Sequence, residues 1–252
     1  MALSTVNFHS ETLRTGASIN IILPERRAGL PPPKVIYLLS GGFADHTYYL
    51  RFFPIEELAK DYNVAVVAPY MSGRYLYKNI LHGEQWWDYY SEELPKLIHT
   101  MFNVSTDRED NIAMGGSGGG YAALKLGLQK PETFGYAAAY AALMLGETFM
   151  ARLKEADLPC YEDRRYHYGS PIPSDCDIYQ VLEDAAKKDR KAKIFLACGT
   201  EDGFYRDDVI FRDKAKELGF DLTWDERPGG HTMEYSLEIL PVMFKWLPLV
   251  KL

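Results

Sequence analysis

Apolar positions along this chain fall into two kinds of run, and the two kinds alternate. Residues 34–40, KVIYLLS, and 63–69, NVAVVAP, are nearly continuous apolar stretches, the pattern of strands buried on both faces. Residues 111–116, 134–140 and 191–199 repeat it as NIAMGG, FGYAAAY and KAKIFLACG, and FDLTWDE, 220–226, reads as a further strand. Between them, segments 54–62, 86–102, 118–129 and 205–219 carry apolar residues at helical spacing, and 234–247 closes the chain in the same way. Pro54 sits at the first turn of its helix, where its missing N–H does no harm. Pro95 lies inside 86–102, so a kink or a fresh start is expected there.

Two shorter strand patterns, 5–10 and 18–24, come first. RRAGLPPP, 26–33, follows them as a turn or exposed link, because consecutive prolines cannot donate to a strand ladder. Strands alternating with helices predict an α/β fold, a mostly parallel sheet with helices on both faces and an N-terminal antiparallel edge. Residues 146–177 break the rhythm. They are rich in tyrosine, proline and charge, and are expected to form a loop-rich insertion over the strand ends. No repeat or linker divides the rest, so 1–252 reads as a single domain.

Charge and composition narrow the function. Lys and Arg number 28 against 35 Asp and Glu, a net charge of -7. With no basic stripe, nucleic acid is not an expected partner. No apolar run reaches the roughly 18 residues of a membrane span. The N-terminus lacks a basic segment followed by a long apolar core, so a cytoplasmic protein is expected, although a secreted chain already processed would read alike. The three cysteines, Cys160, Cys176 and Cys198, are odd in number and show no C-x-x-C spacing, which argues against a disulfide framework or a zinc site. A homo-oligomer is left open.

The chemistry centres on NIAMGGSGGGYAAL, 111–124. A phosphate-binding loop would need G-K-[ST], which is absent. Gly118, Gly120 and Ala123 fit a dinucleotide fingerprint, but no acid ends the next strand to take a ribose. The remaining reading is G-x-S-x-G over Gly115–Gly119: a strand enters, Ser117 sits at a sharp turn, and a helix leaves. Glycines flank the serine because side chains there would collide across the turn. This reading demands an acid and then a histidine on later strand-to-helix loops. His231, in RPGGHTMEY, follows the last strand pattern. CGTEDGFYRDD supplies Asp202, with Glu201, Asp207 and Asp208 nearby. Two backbone N–H groups are needed to hold an oxyanion. Gly118 supplies one. The loop after residues 34–40 supplies the other, at Gly42 or, failing that, Phe43.

YLLSGGFADHTYYLR, MGGSGGGYAALKLGL, PETFGYAAAY, ACGTEDGFY and RPGGHTMEY occur in this order, and the resemblance they carry runs over about residues 3–248. Together they resemble the tributyrin esterase branch of the esterase D-like α/β-hydrolases, a group that also contains S-formylglutathione hydrolases and feruloyl and acetylxylan esterases. The resemblance implies an α/β-hydrolase fold and a serine esterase acting on small ester substrates without a cofactor. It carries the nucleophile to Ser117, the acid to Asp202 and the base to His231. Two positions depart from the family pattern. Ser40-Gly41 stands where His-Gly is usual, and Gly118 follows the nucleophile where methionine is frequent. The readings to separate are a short-chain carboxylesterase, a feruloyl or acetylxylan esterase, an S-formylglutathione thioesterase and a non-catalytic binding protein. The aromatics of GEQWWDYY, 83–90, are expected mainly in helix packing, with some available to line a pocket.

Overall fold

The structure, a computed structural model, describes residues 1–25, 29–42, 44–71, 77–158 and 160–252. Its strands are β1 (Ala2–Ser10), β2 (Thr15–Leu23), β3 (Lys34–Leu39), β4 (Val64–Pro69), β5 (Asn111–Gly116), β6 (Tyr136–Tyr140), β7 (Lys193–Gly199) and β8 (Leu222–Arg227). They form one sheet in the order β1-β2-β4-β3-β5-β6-β7-β8. β2 pairs antiparallel with both β1 and β4, and every pair from β4 to β8 is parallel. The α/β class and the antiparallel N-terminal edge are as the sequence predicts.

The helices are α1 (Tyr48–Phe52), α2 (Ile55–Ala59), α3 (Trp86–Asp88), α4 (Leu94–Met101), α5 (Gly118–Gln129), α6 (Glu147–Glu155), α7 (Cys160–Tyr168), α8 (Ile178–Ala186), α9 (Tyr205–Glu217) and α10 (Met233–Trp246). A π-helical turn, Tyr89–Glu93, joins α3 to α4. Pro95 then stands in the first turn of α4, and the backbone stays helical through the junction, so the expected kink or fresh start is replaced by a widened turn just ahead of the proline.

Alternation along the buried strands builds two cores. Val35, Tyr37 and Leu39 pack on one face with α4, α5, α8 and α9. Ile36 and Leu38 pack on the other with α1, α2 and α10. α5 is buried along its whole length, from Gly118 to Leu128.

Residues 146–177 differ from expectation: they carry α6 and α7 rather than being loop-rich. Phe149, Met150 and Leu153 of α6 are buried in the first core. That contact makes a helix of a segment whose composition reads as loop. α1 and α8 also lie outside the expected set. α8 is capped by Asp177, whose carboxylate accepts from the Tyr179 and Gln180 N–H groups and also from Glu147 N–H at the start of α6. One acid thus serves two helix N-termini.

Candidate active site

β5 and α5 meet at Ser117, whose φ of 56° and ψ of -123° lie where L-residues are rarely found. The surrounding backbone holds it there. Ser117 N–H donates to the Tyr140 carbonyl at 3.0 Å, and its own carbonyl accepts from Tyr121 N–H at 3.1 Å and Leu143 N–H at 3.0 Å. Such over-determination keeps a strained residue in place. The glycines make room. A Cβ on Gly119 would stand 2.0 Å from the Leu39 carbonyl oxygen, and one on Gly115 2.6 Å from the Gly119 oxygen. Both obstacles are main chain and cannot swing aside. A Cβ on Gly116 would enter the Tyr140 ring at 2.2 Å.

The loops after β7 and β8 bring the predicted acid and histidine to this serine. Ser117 Oγ and His231 Nε2 are 3.1 Å apart, and His231 Nδ1 lies 2.8 Å from Asp202 Oδ2. A carboxylate only accepts, so Nδ1–H donates to Asp202 and Nε2 is left to accept from the Ser117 hydroxyl. Asp202 has its other oxygen engaged by Phe204 N–H at 2.8 Å. The two loops are fastened to each other. Glu201 N–H donates to the Gly229 carbonyl at 2.9 Å, and a Cβ on Gly199 would meet that same oxygen at 2.2 Å. Thr232 caps α10 directly after His231, its side chain accepting from Tyr235 N–H. Glu201, Asp207 and Asp208 do not take the place beside His231. Asp207 pairs with Arg152. Asp208 is fully buried and accepts from Ala142 N–H at 3.1 Å, and burial pushes its carboxyl well above the usual carboxylate range.

The opposite flank of Ser117 is main chain. β3 pairs with β5 up to Leu39 opposite Gly115, which carries residues 40–42 past the serine. A Cβ on Gly41 would sit 3.1 Å from the Ser117 Cβ. Gly41, Gly42 and Ser117 line one cavity. Gly118 opens α5, where the helix dipole favours negative charge. Phe43 lies outside the described residues. Ser40, the first departure from the family pattern, is buried. Its carbonyl accepts from Tyr77 O–H at 3.0 Å, and the preceding carbonyl, Leu39, accepts from Tyr49 O–H at 3.2 Å.

The cavity measures about 340 Å³ and its walls include Tyr48, Tyr49, Tyr140, Ala141, Met233 and Tyr235, within the range of small-molecule sites. Trp86, Trp87, Tyr89 and Tyr90 pack in the core instead, as expected for most of that segment. Phe204 escapes a reading of the sequence, although it lies only two residues past Asp202. Its ring meets the His231 imidazole edge-on at 5.0 Å. Ala141, with a φ of 43°, escapes too, since nothing in YAAAYAALM marks one alanine as strained. Among the described residues, no group of three or more His, Cys, Asp or Glu is placed to hold a metal ion. No helix among them is long and apolar enough to cross a membrane.

A hydroxyl whose proton can pass to an imidazole, itself fixed by a buried carboxylate, can attack an acyl carbon. Comparison with known proteins points to esterases. A family model described as "Putative esterase" matches residues 10–235. An acetyl esterase of Caldicellulosiruptor saccharolyticus is 27% identical, over 98% of both chains. The substrate-bound structure of FphF, a fluorophosphonate-binding serine hydrolase of Staphylococcus aureus, superposes with a TM-score of 0.87 at 26% identity, over 98% of both chains. S-formylglutathione hydrolase (FrmB) of the same organism, as apoenzyme, superposes with a TM-score of 0.83 at 26% identity over the same share. The match spans nearly every element that builds the site, from the end of β1 to the first turns of α10, and the chain belongs to this esterase family as a carboxylic ester hydrolase.

Proposed function

We propose that Ser117, His231 and Asp202 form a catalytic triad and that the chain hydrolyses short-chain acyl esters, of the tributyrin type, through an acyl-enzyme on Ser117. The observation that carries this reading is the unbroken hydrogen-bond sequence from Ser117 Oγ through both imidazole nitrogens to Asp202. As Ser117 Oγ attacks the ester carbonyl carbon, His231 Nε2 takes its proton and the carbonyl electron pair moves onto oxygen. The Gly42 and Gly118 N–H groups receive that oxyanion. Its collapse breaks the bond to the alcohol oxygen, which leaves with the proton from Nε2. Water then repeats the sequence on the acyl-enzyme and releases the acid. Asp202 stays ionised, fixing the tautomer and stabilising the imidazolium.

The tyrosine-walled cavity favours a small acyl group, and the similarity to an acetyl esterase supports the same choice. A thioester reading draws support from the likeness to an S-formylglutathione hydrolase. Rates on p-nitrophenyl acyl esters of increasing length, methyl ferulate, acetylated xylan and S-formylglutathione separate the substrates. A fluorophosphonate probe tests the nucleophile: it should label the parent chain and not Ser117→Ala. Labelling that persists in the variant overturns the assignment, and an unlabelled parent supports a non-catalytic binding protein.

A further inference from the structure

A lysine with no exposed surface sits in the helix that carries the nucleophile. Lys125, two turns beyond Ser117 on α5, is completely buried. Lysine is almost never fully buried without partners. Its Nζ donates to the Tyr77 carbonyl at 3.3 Å, lies 4.1 Å from the Trp87 ring centroid and is 3.8 Å from Cys176 Sγ. Burial lowers its ammonium below the usual lysine range. A methionine or leucine would fill this space without that penalty. The polar end is therefore used for what it holds.

What it holds is Tyr77, which is fully buried, has a φ of 62° and stacks obliquely on Tyr90 at 4.5 Å. The Tyr77 hydroxyl reaches the Ser40 carbonyl at 3.0 Å. Tyr77 is not among the residues that line the cavity, and its hydroxyl is directed to the Ser40 carbonyl behind it. The Ser40 carbonyl and the Gly41 N–H share one peptide plane. Turning that plane re-aims the next one, which carries the Gly42 N–H. Gly41 and Gly42 have no side chains to resist the turn, and glycine permits a wide range of φ and ψ.

We propose that Tyr77 is a positioning residue for the oxyanion-binding loop, and that Lys125 holds Tyr77 for this task. The inference rests on the reading of Ser117 as nucleophile and of Gly42 as oxyanion donor. It assigns to Tyr77 the bracing of the segment Ser40–Gly42.

The test compares the parent with Tyr77→Phe, Lys125→Met, the double variant and Ser117→Ala. The readouts are kcat and KM on p-nitrophenyl butyrate, Tm, and inhibition by a trifluoromethyl ketone, whose hemiketal adduct places an oxyanion in the same hole. Tyr77→Phe keeps the ring and deletes one O–H. It should lower kcat about tenfold with KM nearly unchanged, and weaken the ketone by the same factor, because the lost interaction serves only the charged oxygen. Lys125→Met should act in the same direction, and the double variant should be no worse than the poorer single, since both act through one linkage. Parental kcat in Tyr77→Phe, at any Tm or KM, overturns the proposal. So does a fall in kcat without a matching loss of ketone affinity. Parental kcat in Lys125→Met removes Lys125 from it, and if that variant does not fold, Tyr77→Phe alone decides. Retained activity in Ser117→Ala marks failure of the underlying reading instead.

Discussion

Ser117 has two flanks, and they are built from different materials. On one side stand side chains. His231 and Asp202 are joined at 2.8 Å, Asp202 is anchored a second time by Phe204 N–H, and their loops are tied by the bond from Glu201 N–H to the Gly229 carbonyl. On the other side the groups facing the cavity are glycine backbone, at Gly41 and Gly42, and their stiffness is borrowed. Two buried phenols, Tyr49 and Tyr77, hold the consecutive carbonyls of Leu39 and Ser40 from the two cores of the molecule. The difference fits the roles proposed for the two flanks. Moving a proton needs a group of suitable acidity, which only particular side chains supply. Stabilising an oxyanion needs a fixed dipole, which any peptide supplies if it is aimed.

The largest expected effect falls on the side-chain flank. Asp202→Asn should preserve the fold and reduce kcat by about 10⁴, because the amide presents a donor to Nδ1 and favours the wrong tautomer. Near-parental rates would move the acid role to a neighbour. On the backbone flank, Gly119→Ala drives a methyl into the Leu39 carbonyl and should push the end of β3 away from the serine. Loss of one oxyanion donor lowers turnover by about 100- to 1,000-fold, so a fall of that order is expected. Retained turnover would show that residues 40–42 need no precise placement.

A smaller effect concerns the helical cover beside the side-chain flank. Phe149 of α6 meets Phe204 at 5.9 Å, and Phe204 in turn meets His231. Glu147 ties this cover together, bonding the Arg165 guanidinium and the Ile172 N–H. These partners, Arg165 foremost, lower its carboxyl to about 2. An unfolded glutamate titrates near pH 4.3, so the folded form binds fewer protons across the interval between. The stabilisation is therefore complete above about pH 5 and is lost as pH falls toward 2. Hydrogen exchange in residues 147–177 should rise as pH drops from 5 to 3 beyond the intrinsic change, and Glu147→Gln should flatten that dependence. The same slope in parent and variant would separate the cover from this pair. The smallest effect is expected at Asp208. Its buried carboxyl is already pushed toward the neutral form, so Asp208→Asn should keep kcat within about threefold, a change of less than 1 kcal/mol in barrier. A large loss there would make the two neighbouring acids partners in the chemistry.

The sequence was most legible where a pattern has one physical meaning. Continuous apolar runs read as buried parallel strands, and five of them lie in the sheet at the expected places, with the more polar 220–226 forming its edge. Ser117, Asp202 and His231 could be singled out because the proposed nucleophile, acid and base are distinctive residue types in a required order, and the structure places these three side chains within hydrogen-bonding distance. Residues 146–177 were less legible. Their composition reads as loop, whereas Phe149, Met150 and Leu153 gain a helix by packing on a core that the local sequence does not contain.

By itself, then, the order of residues determined the α/β pattern, the turn at Ser117 and which groups are proposed to move a proton. Tertiary structure decided which of four neighbouring acids faces His231, which aromatics wall the cavity, and how Tyr49, Tyr77 and Lys125 brace a glycine loop. The physical reason is that acidity belongs to a residue type and can be read in one dimension. The aim of a peptide dipole belongs to no residue, and depends on contacts between segments far apart in the chain.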